Sequence, residues 1–128
     1  MKLLVDTHIF LWTLDDSSRL SRQAREKMTA SGTECFVSAV SFWEIAIKAS
    51  LRREEFQVNV ARLIAGAYAT GLRPLAFEPE HAVRVARLPK YHSDPFDRAL
   101  IAQALTEQLT LLTQDAALAR YGRAVTVV

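Results

Sequence analysis

Short apolar runs alternate with helical patterns along the whole chain. KLLV (2–5) is apolar throughout and too short for a helix, so it reads as a buried strand, and residues 7–14 follow it with a helical pattern. SRQAREKMTASG (21–32) reads as a polar-faced helix, with Ser21 as its N-cap and Gly32 as its stop. ECFVS (34–38) is a second strand and SFWEIAIKASL (41–51) the helix after it. NVARLIAGAYATG (59–71) is a helix ended by Gly71, and RPLAF (73–77) a short strand. PEHAVRVARL (79–88) opens with proline, as helices often do. DPFDRALIAQALTEQ (94–108) is a strongly apolar helix with an acidic mouth. TLLT (110–113), the short helix DAALARYG (115–122) and AVTVV (124–128) complete the pattern.

Strands that alternate with helices predict an α/β domain, with a mostly parallel sheet covered on both faces. Ligands in such folds bind beyond the carboxyl ends of the strands. The chain has 128 residues, enough for one domain with one core, and no repeat or linker divides it. Half of it is hydrophobic, which excludes a disordered chain. No apolar run approaches the roughly 20 residues of a membrane span. Asp6 and His8 interrupt the apolar start, which argues against a signal peptide, so a cytoplasmic protein is expected. Cys35 is the only cysteine and suits a buried apolar role, which leaves no cysteine-based metal cluster. Basic residues exceed acidic ones by two, a weak pointer to a polyanionic partner that gains weight if several acids share one pocket.

Several acids are placed to do so. Asp6 directly follows the first strand, Glu44 lies in the first turn expected after the second, Asp94 and Asp97 open the helix that feeds the fourth, and Asp115 stands two residues past the fourth. Each also has a purely structural reading. Asp6 and Asp115 fit N-caps, Ser41-Phe42-Trp43-Glu44 fits an S-x-x-E capping box, and Asp94 fits an N-cap followed by Pro95. Two features favour chemistry. Asp6 is wedged between KLLV and IFLW with no nearby lysine or arginine, and a buried carboxylate without a partner is costly. Several converging carboxylates also repel one another, so they either raise their pKa values or recruit a cation. An all-oxygen donor set points to Mg²⁺ or Mn²⁺ rather than zinc.

VDTHIFLW, VSAVSFWEIAIK, HSDPFDRALIAQA and LLTQDAALARYG, in this order, resemble the PIN-domain ribonucleases. They are most similar to VapC toxins of bacterial toxin–antitoxin pairs, in the branch with the D-P-F-D-R signature. The likeness runs from residue 2 to the C-terminus and implies a single PIN domain over 1–128. It implies a three-layer α/β/α sandwich around about five strands. It also implies a metal site of Asp6, Glu44, Asp97 and Asp115, with Asp94, Thr7 and Thr113 supporting it from behind. The implied activity is hydrolysis of RNA phosphodiester bonds by water that Mg²⁺, or Mn²⁺, activates. The implied partners are the RNA substrate, a cognate antitoxin and a second copy of the chain in a homodimer, with no membrane.

The remaining residues keep two readings each. Arg98 is either a phosphate contact or an ion-pair partner of the acids. Lys48, Arg52 and Arg53 either complement a helix C-terminus or face RNA. His8 and His92 suit a packed helix start and a surface loop before they suit substrate contact, and His81 reads as helix surface. Trp12 and Trp43 suit core or interface, and the stretches Phe10–Leu14 and Phe42–Leu51 suit the walls of an antitoxin groove. Two other classes compete. A Mg²⁺-dependent phosphotransfer domain also places an aspartate after strand one. The phosphatase pattern, however, needs a second aspartate where His8 stands, and a receiver needs a late lysine, whereas none follows Lys90. A non-catalytic binding module would use the acids as caps alone.

Overall fold

A computed structural model describes residues 1–52 and 58–128; the side chain of Arg52 and residues 53–57 lie outside the description, so the readings of Arg52 and Arg53 as RNA contacts fall there. The elements run β1 (Lys2–Val5), α1 (Thr7–Leu14), α2 (Arg22–Thr29), β2 (Glu34–Ser38), α3 (Ala39–Arg52), α4 (Val60–Ala69), β3 (Arg73–Leu75), α5 (Pro79–Arg87), α6 (Pro95–Glu107) and β4 (Thr110–Thr113), then a 3-10 stretch (Ala116–Ala124) and β5 (Val125–Val127). The strands form one five-stranded sheet in the order β3-β2-β1-β4-β5, and every pairing is parallel. The chain lays strands to one side of β1, then crosses to lay β4 and β5 on the other. The point of reversal lies between β1 and β4, where parallel α/β sheets open a crevice.

β1 alternates across the sheet. Leu3 and Val5 join a core with Ile9, Phe10, Leu20, Ala24, Ile45 and Ala67, from α1 to α4. Leu4 joins the opposite core with Leu88, Leu100, Ile101, Leu111 and Leu118, beneath α5, α6 and the 3-10 stretch. The result is the expected three-layer sandwich. α6 is buried from Ala99 to Ala104, which accounts for its nearly unbroken apolar sequence. Register then aims the strand ends. Val5 lies level with Val37 and Leu112, so Asp6, Ser38 and Thr113 leave the sheet at one height.

Two local expectations need correction. β2 runs into α3 without a loop, and the helix begins at Ala39. Ser41 and Glu44 therefore lie inside the helix, and the capping box does not form; both side chains serve the site described below. His81, expected on the helix surface, is fully buried. Its Nδ1 accepts from the Glu78 backbone N–H at 2.9 Å, so the proton sits on Nε2, which faces Glu107 at 3.2 Å. Beside it Gln103 accepts from Ser38 Oγ at 2.5 Å and donates to the Ala76 carbonyl at 3.2 Å. This network fixes the exit of β2, and with it the start of α3. At the far end of the chain, Gly122 (φ 87°, ψ −143°) takes a turn closed to other residues before β5.

Replacement of Gln103 by leucine keeps the volume but orphans Ser38 and the Ala76 carbonyl. An unsatisfied buried group costs about 1–3 kcal/mol, so urea unfolding of Gln103→Leu is expected to show a loss of at least that size. Unchanged stability would mean that the network does not hold the exit of β2.

Candidate active site

Asp6 is the N-cap of α1, and its Oδ1 accepts from the Ile9 N–H at 2.8 Å. Its Oδ2 accepts from Thr113 Oγ1 at 2.5 Å, across the β1–β4 gap. Register makes this contact, because the Asp6 backbone N–H is itself bonded to Leu112 O. Thr113 Oγ1 also accepts from the Asp115 N–H at 3.1 Å and so ties the two acids to one hydroxyl. Glu44 comes in from α3. Thr7 Oγ1 donates to its Oε1 at 2.7 Å, and Lys48 Nζ, one turn on, lies 2.5 Å from its Oε2. Ser41 Oγ is 2.9 Å from the same threonine hydroxyl.

α6 supplies the other wall. Asp94 is its N-cap, accepting from the Phe96 and Asp97 N–H groups with one oxygen, and Pro95 holds the first helical position. Asp97 then points outward from the first turn, where His92 Nε2 meets its Oδ2 at 2.9 Å. Asp115 caps the 3-10 stretch through Oδ1 and is exposed. Asp6, Glu44, Asp94, Asp97 and Asp115 line one cleft of about 70 Å³ together with Thr7, His8 and Lys48. The four acids of the expected metal site therefore line one cleft, Asp94 and Thr7 line it with them, and Thr113 reaches it through its hydrogen bond to Asp6.

The electrostatics follow from burial. Asp6 is 7% exposed, and desolvation pushes its carboxyl above the usual range, opposed by the Thr113 and Ile9 hydrogen bonds and assisted by the charge of Glu44. Desolvation also raises Asp97, followed by the charge of Asp94, while the His92 hydrogen bond pulls the other way. Lys48 is held above its usual value, chiefly by its hydrogen bond to Glu44. Five carboxylates against one ammonium is a donor set that suits a divalent cation, and its oxygen-rich character suits Mg²⁺ or Mn²⁺. Among the described residues, donor atoms of His92, Asp97 and Asp115 all lie within 4.8 Å of one another, and Asp6 and Glu44 line the same cleft. His92 is thus a site residue that sequence reasoning assigned to a surface loop; its one signal is its place two residues before a helix cap.

Other residues take different places. Among the described residues Arg98 pairs with no acid. It turns away from the cleft and donates to the carbonyls of Val85 and Pro89 and towards the Tyr121 hydroxyl, so its ion-pair reading is set aside. His8 is exposed, lines the cleft and packs against Trp12 at 5.6 Å. Trp43 is 60% exposed and meets Phe96 edge-on. Phe10, expected in a groove wall, is fully buried against Phe42.

A parallel sheet with an acid cleft at its point of reversal defines the chain as an α/β domain with its candidate site at the switch point. Comparison with known proteins narrows it. The PIN domain family model matches residues 3–124, so the chain belongs to the PIN-domain family. Ribonuclease VapC22 of Mycobacterium tuberculosis (strain ATCC 25618 / H37Rv) is 30% identical over 128 residues, which cover 98% of this chain and 97% of that protein. The fold also matches VapBC2 from Rickettsia felis, bound to a DNA fragment from its promoter, with TM-score 0.71 at 13% identity over 100% of this chain and 98% of that one. DNA-bound VapBC from Salmonella typhimurium aligns with TM-score 0.69 at 15% identity, over 100% and 97% of the two chains. Family membership sets aside the receiver-like and phosphatase-like readings.

The raised acids make a pH prediction. Above 3.8, the ordinary aspartate value, and up to the raised native values, the folded protein keeps protons that the unfolded chain has already lost. Metal-free stability from these two groups therefore falls as pH rises through that window. Asp97→Asn cannot ionise, so its melting temperature in EDTA is expected to gain on wild type as pH rises from 3.8 towards the raised native value. A constant difference across that range would mean that Asp97 ionises normally in the fold.

Proposed function

We propose that this chain is a metal-dependent endoribonuclease toxin of the VapC type, neutralised by a cognate antitoxin. The observation that carries the reading is the meeting of Asp6, Glu44, Asp97 and Asp115 in one cleft of a PIN-domain chain. The 30% identity to a ribonuclease VapC, spread over nearly the whole of both chains, supports the substrate class.

Asp97, Asp115, Asp6 and Glu44 would hold Mg²⁺, and Mn²⁺ would suit the same oxygens. When bound, the ion activates water for attack and offsets charge growing on the phosphate oxygens. Thr113 and Thr7 orient the carboxylates of Asp6 and Glu44 through their hydroxyls. Glu44 and Asp115 position the attacking water, and one of them takes its proton as the new P–O bond forms; the bond to the leaving ribose oxygen breaks, and that oxygen takes a proton from solvent water. Lys48 offsets the charge of Glu44 and is half-exposed at the cleft, where it meets the RNA backbone. No protein nucleophile is needed.

The partners follow the same line. The matched VapBC structures, and a matched toxin–antitoxin complex from Klebsiella pneumoniae, support an antitoxin. The outer face of α3, where Trp43 and Leu51 are 60% and 76% exposed, suits its docking. The active form is a homodimer in the cytoplasm. Among the described residues no helix is long and apolar enough to cross a membrane.

The test is cleavage of labelled cellular RNA by the purified chain. Cleavage is expected with Mg²⁺ or Mn²⁺ and not with EDTA. Asp97→Asn, which leaves the acceptor for His92 in place, is expected to lose activity by at least about 100-fold. Undiminished cleavage by a folded Asp97→Asn protein would remove this site from the reaction.

A further inference from the structure

Beside the acid cleft lies a larger recess of about 520 Å³, lined by Lys90, Tyr91, His92, Ser93 and Arg98. We propose that this recess is a subsite for one unpaired nucleotide of the RNA, next to the phosphodiester held at the acids. The proposal rests on the ribonuclease reading above and adds the place where the substrate is gripped.

Size is the first argument. The acid cleft, at about 70 Å³, falls well below the range of about 300–1,000 Å³ typical of small-molecule sites. The nucleotide must lie outside the cleft. The recess falls within that range. Adjacency is the second. His92 lines the recess and bonds to Asp97, which lines the cleft, so one hydrogen bond forms the wall between them.

Chemistry is the third. Tyr91 is 44% exposed and held in place, with the Arg120 guanidinium 4.4 Å from its ring centre and the Tyr121 ring at 5.2 Å. The chain two residues before it is braced as well, because Arg98 and the Tyr121 hydroxyl both donate to the Pro89 carbonyl. A fixed, exposed aromatic ring suits stacking of a base, and a base is free to stack only when it is unpaired. Charge is the fourth argument. The five carboxylates of the cleft oppose an approaching polyanion. Lys90 and Arg98 line the recess and Arg120 lies over the Tyr91 ring, and none of the three pairs with a carboxylate among the described residues. They supply the attraction that the cleft lacks.

The test is binding of a fluorescein-labelled oligouridylate, followed by anisotropy in the Asp97→Asn background so that cleavage does not intervene. Tyr91→Ala is expected to weaken binding about tenfold, and Tyr91→Phe to keep it. Lys90→Gln, a surface change without packing consequences, is expected to weaken binding and to lower the salt-dependence slope by about one. Lys27→Gln, on α2 over the other face of the sheet, is the control and is expected to change neither. If Tyr91→Ala and Lys90→Gln bind the oligomer as their parent does, while the wild type cleaves RNA, the subsite is refuted and the ribonuclease reading stands. If the wild type neither binds nor cleaves any RNA, both fall. If the two variants keep RNA affinity but lose a protein partner, the recess is a protein-docking surface and the proposal is overturned.

Discussion

The structure turns on one buried carboxylate at the end of its innermost strand. β1 is paired on both sides and covered on both faces, so the residue that follows it has almost no access to water. Asp6 sits there, and its charge is tolerated because an α1 N–H and the Thr113 hydroxyl both reach it. Those donors exist because register sets β4 level with β1, and because α1 starts where β1 stops. Sheet order, helix start and site are therefore one arrangement.

The cap and ligand readings of the acids are compatible. Asp94 Oδ1 accepts from the Phe96 and Asp97 N–H groups and Asp115 Oδ1 from the Ala117 N–H, and no hydrogen bond to either Oδ2 is made among the described residues. Capping fixes the carboxylate and directs its second oxygen, and the start of a helix after a parallel strand faces the crevice in any case. A fold of this kind can therefore assemble an acid cluster at little structural cost. What capping leaves unexplained is Glu44, an interior residue of α3 that is 4% exposed and caps nothing. Its carboxylate is held inside the cleft by Thr7 and Lys48, and no need of the fold calls for it.

The strands were legible because their apolar runs are short and bounded. KLLV, ECFVS and TLLT carry their whole element in the pattern, and the ends of KLLV and TLLT place Asp6 and Asp115. The start of α3 was not legible: a strand that passes straight into a helix has no polar break, so the S-x-x-E spacing suggested a boundary two residues late. His81 and His92 share a different cause. His81 is positioned by Gln103 and Glu107, which tertiary packing brings to it, and His92 by Asp97 across the turn into α6; no periodicity encodes either contact. Arg98 lies beside Asp97 in sequence, yet helical rotation sends it to α5 and the 3-10 stretch.

The direct measurement is anomalous diffraction from crystals soaked in Mn²⁺. One strong peak is expected in the cleft, within ligand distance of the Asp97 and Asp115 carboxylates, and it is expected to vanish in Asp97→Asn crystals. A protein that takes up no Mn²⁺ there, or takes it only at surface carboxylates remote from Asp6 and Glu44, would contradict the claim that these acids form a metal centre.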